Sequence, residues 1–167
     1  MLNPQWNDMS LLVAGASTRL SLQAEQNGLT LINESSSYLP DCIFDSERIG
    51  QVLNNLIENA IKATPPGGTI TLRSELYEDE IWIRVCDTGV GIPADEQTKI
   101  FQRFYRAHNR ASSKGNHLGL GLAICQQIIA NHNGRLWVES EEGHGSTFTF
   151  AIPLTTREAA VNEQIDA

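Results

Sequence analysis

Cysteine is scarce in this 167-residue chain, with Cys42, Cys86 and Cys125 widely spaced and set in apolar contexts such as Ile81-Trp-Ile-Arg-Val-Cys86. Three scattered thiols make neither a disulfide framework nor a metal-binding spacing, and they read as reduced core residues. Basic residues are outnumbered, 12 Lys and Arg against 20 Asp and Glu for a net charge of -8. That balance lacks the clustered positive charge that a phosphate backbone requires, so nucleic acid is not an expected partner. No run approaches the roughly 18 apolar residues of a membrane span, so no direct membrane insertion is expected. The opening Met1-Leu-Asn-Pro-Gln-Trp6 has neither a basic flank nor a long apolar stretch. It is no signal peptide, and a cytoplasmic location is expected. What is present is a hydrophobic fraction of 41%, enough for one domain with a sizeable core.

Apolar residues at mixed helical spacing predict a first helix from about Trp6 to Gln26, stopping at Asn27-Gly28, followed by a strand over Leu29 to Asn33. Asp45 precedes the clearest helical pattern, with Ile49, Val52, Leu53, Leu56, Ile57 and Ala60 repeating until Pro65-Pro-Gly-Gly68 ends it. Two alternating runs, Ile70 to Leu76 and Ile81 to Val85, flank Glu78-Asp-Glu80 and predict a hairpin. The polar, basic segment from Pro93 to His117 has little periodicity and is read as a lid. A further helix runs from Leu120 to Ile129, and strands follow at Arg135 to Ser140 and Ser146 to Ile152. Residues 1–154 are therefore taken as the domain and 155–167 as a loose tail. About three helices and five or six strands, joined by hairpins rather than strict alternation, predict an α/β two-layer sandwich.

On a helix, Arg48, Gln51, Asn55, Asn59 and Lys62 fall within about 80° of one another, on a stripe beside the apolar face. Asn is disfavoured in helix interiors, and an Asn carboxamide oxygen suits Mg²⁺, while Lys62 could meet a phosphate. Alone, such a stripe is more often a solvated face. Asp87 ends an apolar strand and leads into Gly89 and Gly91, placing a carboxylate where the chain turns and leaving room for a flat ring. An ionised carboxylate accepts from an exocyclic amine, which adenine offers and guanine does not at the comparable place. Alone, Asp-x-Gly-x-Gly is an ordinary turn. Gly119-Leu120-Gly121 precedes the helix starting near Leu122, so its amides and helix end suit a triphosphate, or simply a tight turn. In the presumed lid, Arg103, Arg106 and Arg110 could reach a γ-phosphate, and Phe101, Phe104 and Tyr105 form either a latch or a core anchor. His108, His117, His132 and His144 are read as structural or exposed.

With these residues in place, the chain resembles the catalytic and ATP-binding domain of sensor histidine kinases, within the superfamily that includes DNA gyrase, MutL proteins and heat-shock chaperone ATPases. Asn55 to Thr64 is similar to the N box, Asp87 to Ile92 to the first glycine box, Ile100 to Arg106 to the F box, and Gly119 to Ile124 to the second glycine box. Gly143-His-Gly-Ser-Thr-Phe148 is similar to the final strand motif.

The resemblance implies a Bergerat fold, ATP and Mg²⁺ as ligands, and catalytic roles for Asn55, Asn59, Lys62 and Arg106. Asn59 would hold the metal, and Lys62 and Arg106 would contact phosphates. It further implies a nucleotide pocket lined by Asp87, Gly89, Gly91, Ile92, Leu118, Gly119, Leu120, Gly121, Leu122 and Thr147, with Thr147 closing the adenine end. Leu118 stands where a small residue is common and Ala63 where an aromatic is frequent. No histidine lies in a His-Glu-Leu-Arg-Thr-Pro type of helix. The implied partners are a histidine-bearing dimerisation domain outside this chain and a downstream response regulator, with the isolated domain a monomer. A serine kinase like the anti-sigma factors and a non-catalytic nucleotide-binding module are the alternative readings.

Overall fold

A computed structural model describes residues 2–105 and 119–154. Its elements are β1 (Gln5–Asn7), α1 (Met9–Gln26), β2 (Thr30–Asn33), β3 (Cys42–Phe44), α2 (Ser46–Ala63), β4 (Thr69–Tyr77), β5 (Glu80–Asp87), a 3-10 turn (Lys99–Phe101), α3 (Gly121–Asn131), β6 (Arg135–Glu141) and β7 (Gly145–Pro153). Five strands form one sheet in the order β2-β4-β5-β7-β6, while β1 and β3 pair as a separate ribbon. Only the β2 and β4 pair of the larger sheet is parallel.

Strand alternation decides which face is covered. Ile70, Leu72, Ile81, Ile83, Val85, Phe148, Phe150 and Ile152 are buried in one cluster with Val13, Leu53, Ile57 and Ile129 of the helices. Each such side chain, fully withdrawn from water, contributes about 1.5–3 kcal/mol before chain entropy is charged against it. The fold is thus the two-layer sandwich expected, a mostly antiparallel sheet against three helices among the described residues.

The opposite face keeps its own cover. Tyr77, Trp82 and Trp137 form a row, the first pair tilted and the second edge to face, with ring centroids 4.9 and 5.0 Å apart. Arg135 lies over both Trp rings, and Arg84 over Trp82. Cys86 belongs to this half-exposed face, which corrects its expected place in the core; Cys42 and Cys125 are buried as expected. Burial pushes both buried thiols up to about 12, which keeps them protonated and unreactive.

The chain's start departs from expectation. Trp6 is in a strand, not a helix, because Asp8 caps α1 by accepting from the Ser10 and Leu11 amides. The buried stripe of α1 is Met9, Val13, Ala16, Leu20 and Ala24, whereas Leu11 and Leu22 are 71% and 62% exposed. α2 carries the strongest amphipathic pattern, and its cap is braced from two sides. Asp45 accepts the Arg48 amide at 3.0 Å and the Asn3 amide at 2.8 Å, and these bonds, that of Asn3 foremost, hold its carboxyl below the ordinary 3.8. The Asp45 amide in turn donates to His132 Nε2 at 3.0 Å, while His132 Nδ1 lies 2.8 Å from the Ile128 carbonyl oxygen. A neutral imidazole with its proton on Nδ1 satisfies both contacts, tying the start of α2 to the end of α3. His132 is structural.

Candidate functional site

α2 presents its polar stripe between the first glycine turn and the start of α3. Asn55, Asn59 and Lys62 are each half-buried, on the flank of a helix whose other side is core. Asn59 Nδ2 donates to Asn55 Oδ1 at 3.1 Å. With its amino end so engaged, Asn59 turns its carbonyl oxygen the other way, the atom able to ligate a hard cation. Lys62 sits in the last turn, where a cation also suits the negative end of the helix.

Gly121 opens α3 hard against this stripe. A Cβ added there would lie 2.5 Å from Asn55 Nδ2 and 2.7 Å from its Oδ1, so the helix start touches Asn55 and a larger residue would push its carboxamide aside. Leu120 precedes it and offers no side-chain cap, which leaves the first amides of α3 directed at the space in front of α2. Gly119, at φ 68°, accepts the Phe104 amide at 3.0 Å, so the two flanks of residues 106–118 are joined. Leu122 is half-buried.

At the other end, Asp87 is 6% exposed and its Oδ1 accepts the Gly89 amide at 2.8 Å. Gly89 is pressed onto the C-terminus of α2, where an added Cβ would strike the Ala63 carbonyl oxygen. That oxygen accepts the Val90 amide at 3.1 Å. Gly91, at φ 69°, abuts the Glu141 carbonyl, and Ile92 is fully buried beneath it. Both glycines are therefore required by the backbone pressed against them, that of Ala63 on one and of Glu141 on the other.

The aromatic trio divides. Phe101 packs edge-on to Phe148 with centroids 6.4 Å apart, Tyr105 is half-buried beside Glu96, and Phe104 is 69% exposed. Burial, followed by the nearby Glu96 and Asp95, raises the Tyr105 hydroxyl above its ordinary value. Phe101 and Tyr105 are thus packed against the core, and Phe104 is left at the surface.

Residues 44–156 match the family described as histidine kinase-, DNA gyrase B-, and HSP90-like ATPase. The chain belongs to this family. The adaptive-response sensory kinase SasA of Synechococcus elongatus is 45% identical over 125 residues, which cover 74% of this chain and 32% of that protein. The nucleotide-free catalytic domain of histidine kinase ThkA superposes with a TM-score of 0.79 at 30% identity, covering 93% of this chain and 97% of that one. Full-length ShkA in complex with AMPPNP gives 0.81 at 29%, covering 93% and 32%. ThkA has also been solved in complex with response regulator protein TrrA, with a TM-score of 0.77 at 29% identity, covering 92% of this chain and 42% of that one. The chain spans about a third of the length of SasA. It is an ATP-binding catalytic domain of the sensor histidine kinase type.

Within this ATPase domain the structure draws Asn55, Asn59, Gly121, Asp87, Gly89, Gly91 and Ile92 into one wall, through the Gly121 and Ala63 contacts. Arg106, Leu118, Arg110, His108 and His117 lie outside the described residues. Thr147 is not in the wall. It pairs with Cys86, one step out of phase with Asp87, and so lies on the Trp82 face of the sheet. Ser146 is the residue opposite Asp87, on the same face and 4% exposed. Counting alternation back from Phe148 and Phe150 would have found it. No helix is long and apolar enough to cross a membrane among the described residues.

Proposed function

We propose that the chain, over residues 1–154, is the catalytic unit of a protein-histidine kinase, binding ATP with Mg²⁺ and presenting the γ-phosphate to a histidine on a dimerisation domain outside it. The observation that carries this reading is the abutment of Gly121 on Asn55, which sets uncapped helix amides and an amide-oxygen ligand around one space. Among the described residues no cluster of three or more His, Cys, Asp or Glu could hold a metal ion. The amide oxygen of Asn59 suits Mg²⁺, which takes few protein ligands and completes its shell with water and phosphate oxygens. Asn59 would hold the ion, which when bound offsets the charge of the phosphates.

The remaining residues act by position. Asn55 fixes the carboxamide of Asn59 through the 3.1 Å bond. Lys62 and the α3 amides at Gly121 and Leu122 hold phosphate oxygens, with Arg106 assigned the same task. Asp87 accepts from the adenine amine, and Gly89, Gly91 and Ile92 supply the flat floor. Transfer then needs orientation and electrostatic stabilisation rather than a covalent intermediate on this chain. Exposed Phe104 and Ile124, 69% and 43% accessible, support an apolar contact with the histidine-bearing domain. The complex of ThkA with a response regulator supports a response regulator as the downstream partner.

The test is a calorimetric titration with a non-hydrolysable ATP analogue, with and without Mg²⁺, and with GTP as control. Selective binding strengthened by Mg²⁺ is expected. Binding that ignores both the metal and the base would overturn the reading.

A further inference from the structure

Three segments meet at Asp45. Its Oδ1 accepts the Arg48 amide in the first turn of α2, its Oδ2 accepts the Asn3 amide just ahead of β1, and its own amide donates to His132 Nε2 at the end of α3. An amide N–H cannot accept, so Nε2 is the bare nitrogen of the ring, and the proton on Nδ1 goes to the Ile128 carbonyl oxygen. That second bond fixes the ring to α3 itself. The contacts of His132 are structural, and their reach extends to the nucleotide wall.

α2 and α3 touch a second time, at the Asn55 carboxamide and Gly121. Asp45 stands ten residues before Asn55 and His132 eleven after Gly121, so each contact lies roughly 15–17 Å from the other along both helices. The two helices therefore run antiparallel between matched ends. In between, Cys125 and Ile129 of α3 share one buried cluster with Ile49, Val52 and Leu56 of α2. Apolar burial attracts without direction, whereas the hydrogen bond at Asp45 fixes how far α3 stands along α2. A slide of about 1 Å would carry the first amides of α3 away from their place beside Asn55, a displacement large enough to matter for an oriented phosphate.

We infer that Asp45 and His132 form a positioning contact that couples the chain's first strand to the Gly121 end of the wall by setting the register of α3 on α2. This rests on the reading of the wall as a nucleotide site. His132 stands at the opposite end of α3 from Gly121 and acts only through the helix. Because the carboxylate of the same Asp45 holds the Asn3 amide, a restraint on β1 is felt at Gly121, and a nucleotide held at Gly121 is felt at Asn3. The coupling is equal in both directions.

The test combines calorimetric titration of ADP with amide hydrogen exchange on the full chain, with thermal unfolding in parallel. In the wild type, saturating ADP is expected to slow exchange at the Asp45 and Asn3 amides by about tenfold more than at the Leu154 amide, which bonds to Asp79 at the other end of the sheet. His132→Phe keeps a ring without an acceptor and is expected to weaken ADP by about tenfold, while His132→Gln, whose amide oxygen can replace Nε2, restores binding to within about threefold. Asn3→Pro removes the amide donor and is expected to weaken ADP, whereas Asn3→Ala keeps the donor and binds as the wild type does. Adding Asn3→Pro to His132→Phe brings no further loss, because both act through Asp45. A merely structural role would lower the melting temperature of His132→Phe and leave its ADP affinity unchanged, and that result overturns the inference. Should His132→Phe fail to fold, the wild type decides: exchange at Asp45 and Asn3 that ADP leaves alone, or slows no more than at Leu154, overturns the inference by itself. A wild type that binds no ADP overturns the reading beneath it as well.

Discussion

Replacing Asp87 by Asn isolates the charge of the adenine acceptor while keeping its shape. Asp87 Oδ1 holds the Gly89 amide at 2.8 Å, and the carboxamide oxygen of the variant can take over that bond, so the turn after β5 survives. The other oxygen becomes an N–H₂ group, and two donors then face each other where the adenine amine was accepted. A hydrogen bond to a charged group contributes about 1.5–3 kcal/mol, and each 1.4 kcal/mol is a factor of ten. Affinity for ADP is expected to fall by roughly 10- to 150-fold on this basis. With Asp87 6% exposed, water is poorly placed to compensate, which favours the upper half of that range. Calorimetric titration measures the loss, and the melting temperature, expected within a few degrees of wild type, shows that it is not unfolding. A loss under threefold in a folded variant would refute the placement of the adenine amine at Asp87.

Asn59→Ala should abolish the gain in affinity that Mg²⁺ confers and leave metal-free nucleotide binding within about twofold, since the amide oxygen is the proposed protein ligand. Titrations with and without metal check this, and equal losses in both would remove Asn59 from the metal. Asp45 predicts an acid dependence of stability. Its folded-state value lies below 3.8, so the ionised carboxylate stabilises the fold above about pH 4, and that contribution is lost as pH falls through the lower, folded-state value. In Asp45→Asn the drop in melting temperature between about pH 5 and pH 2 should be shallower than in the wild type; parallel curves would show that the cap does not titrate as described.

Most of the site could be read in the sequence because its parts are local. α2 writes its stripe into a single periodicity, and the glycines at 89, 91 and 121 stand in short turn motifs, although the groups pressed against them, at Ala63, Glu141 and Asn55, are remote in sequence. What escaped was set by partners remote in sequence. β1 and β3 are three residues each and exist only by pairing with one another, so no period marks them. In α1, Leu11 and Leu22 obscured the true buried stripe of smaller residues, Ala16 and Ala24 among them. Thr147 in place of Ser146 is a slip of one residue, which in a strand exchanges the faces of the sheet, and only the register with β5 resolves it. Asp45 and His132 share no motif, and their bond joins positions 87 residues apart.

The Trp82 and Trp137 pair gives this protein a spectroscopic asymmetry. Of the three tryptophans in the chain, these two sit edge to face across β7 with centroids 5.0 Å apart, on the side of the sheet turned away from Asp87. Coupled indole transitions in that geometry produce a far-ultraviolet circular-dichroism couplet whose size depends on the alignment of β5, β7 and β6. The couplet reports the sheet and not the occupant of the pocket. A nucleotide that alters it is repositioning strands, and one that leaves it untouched binds without moving them.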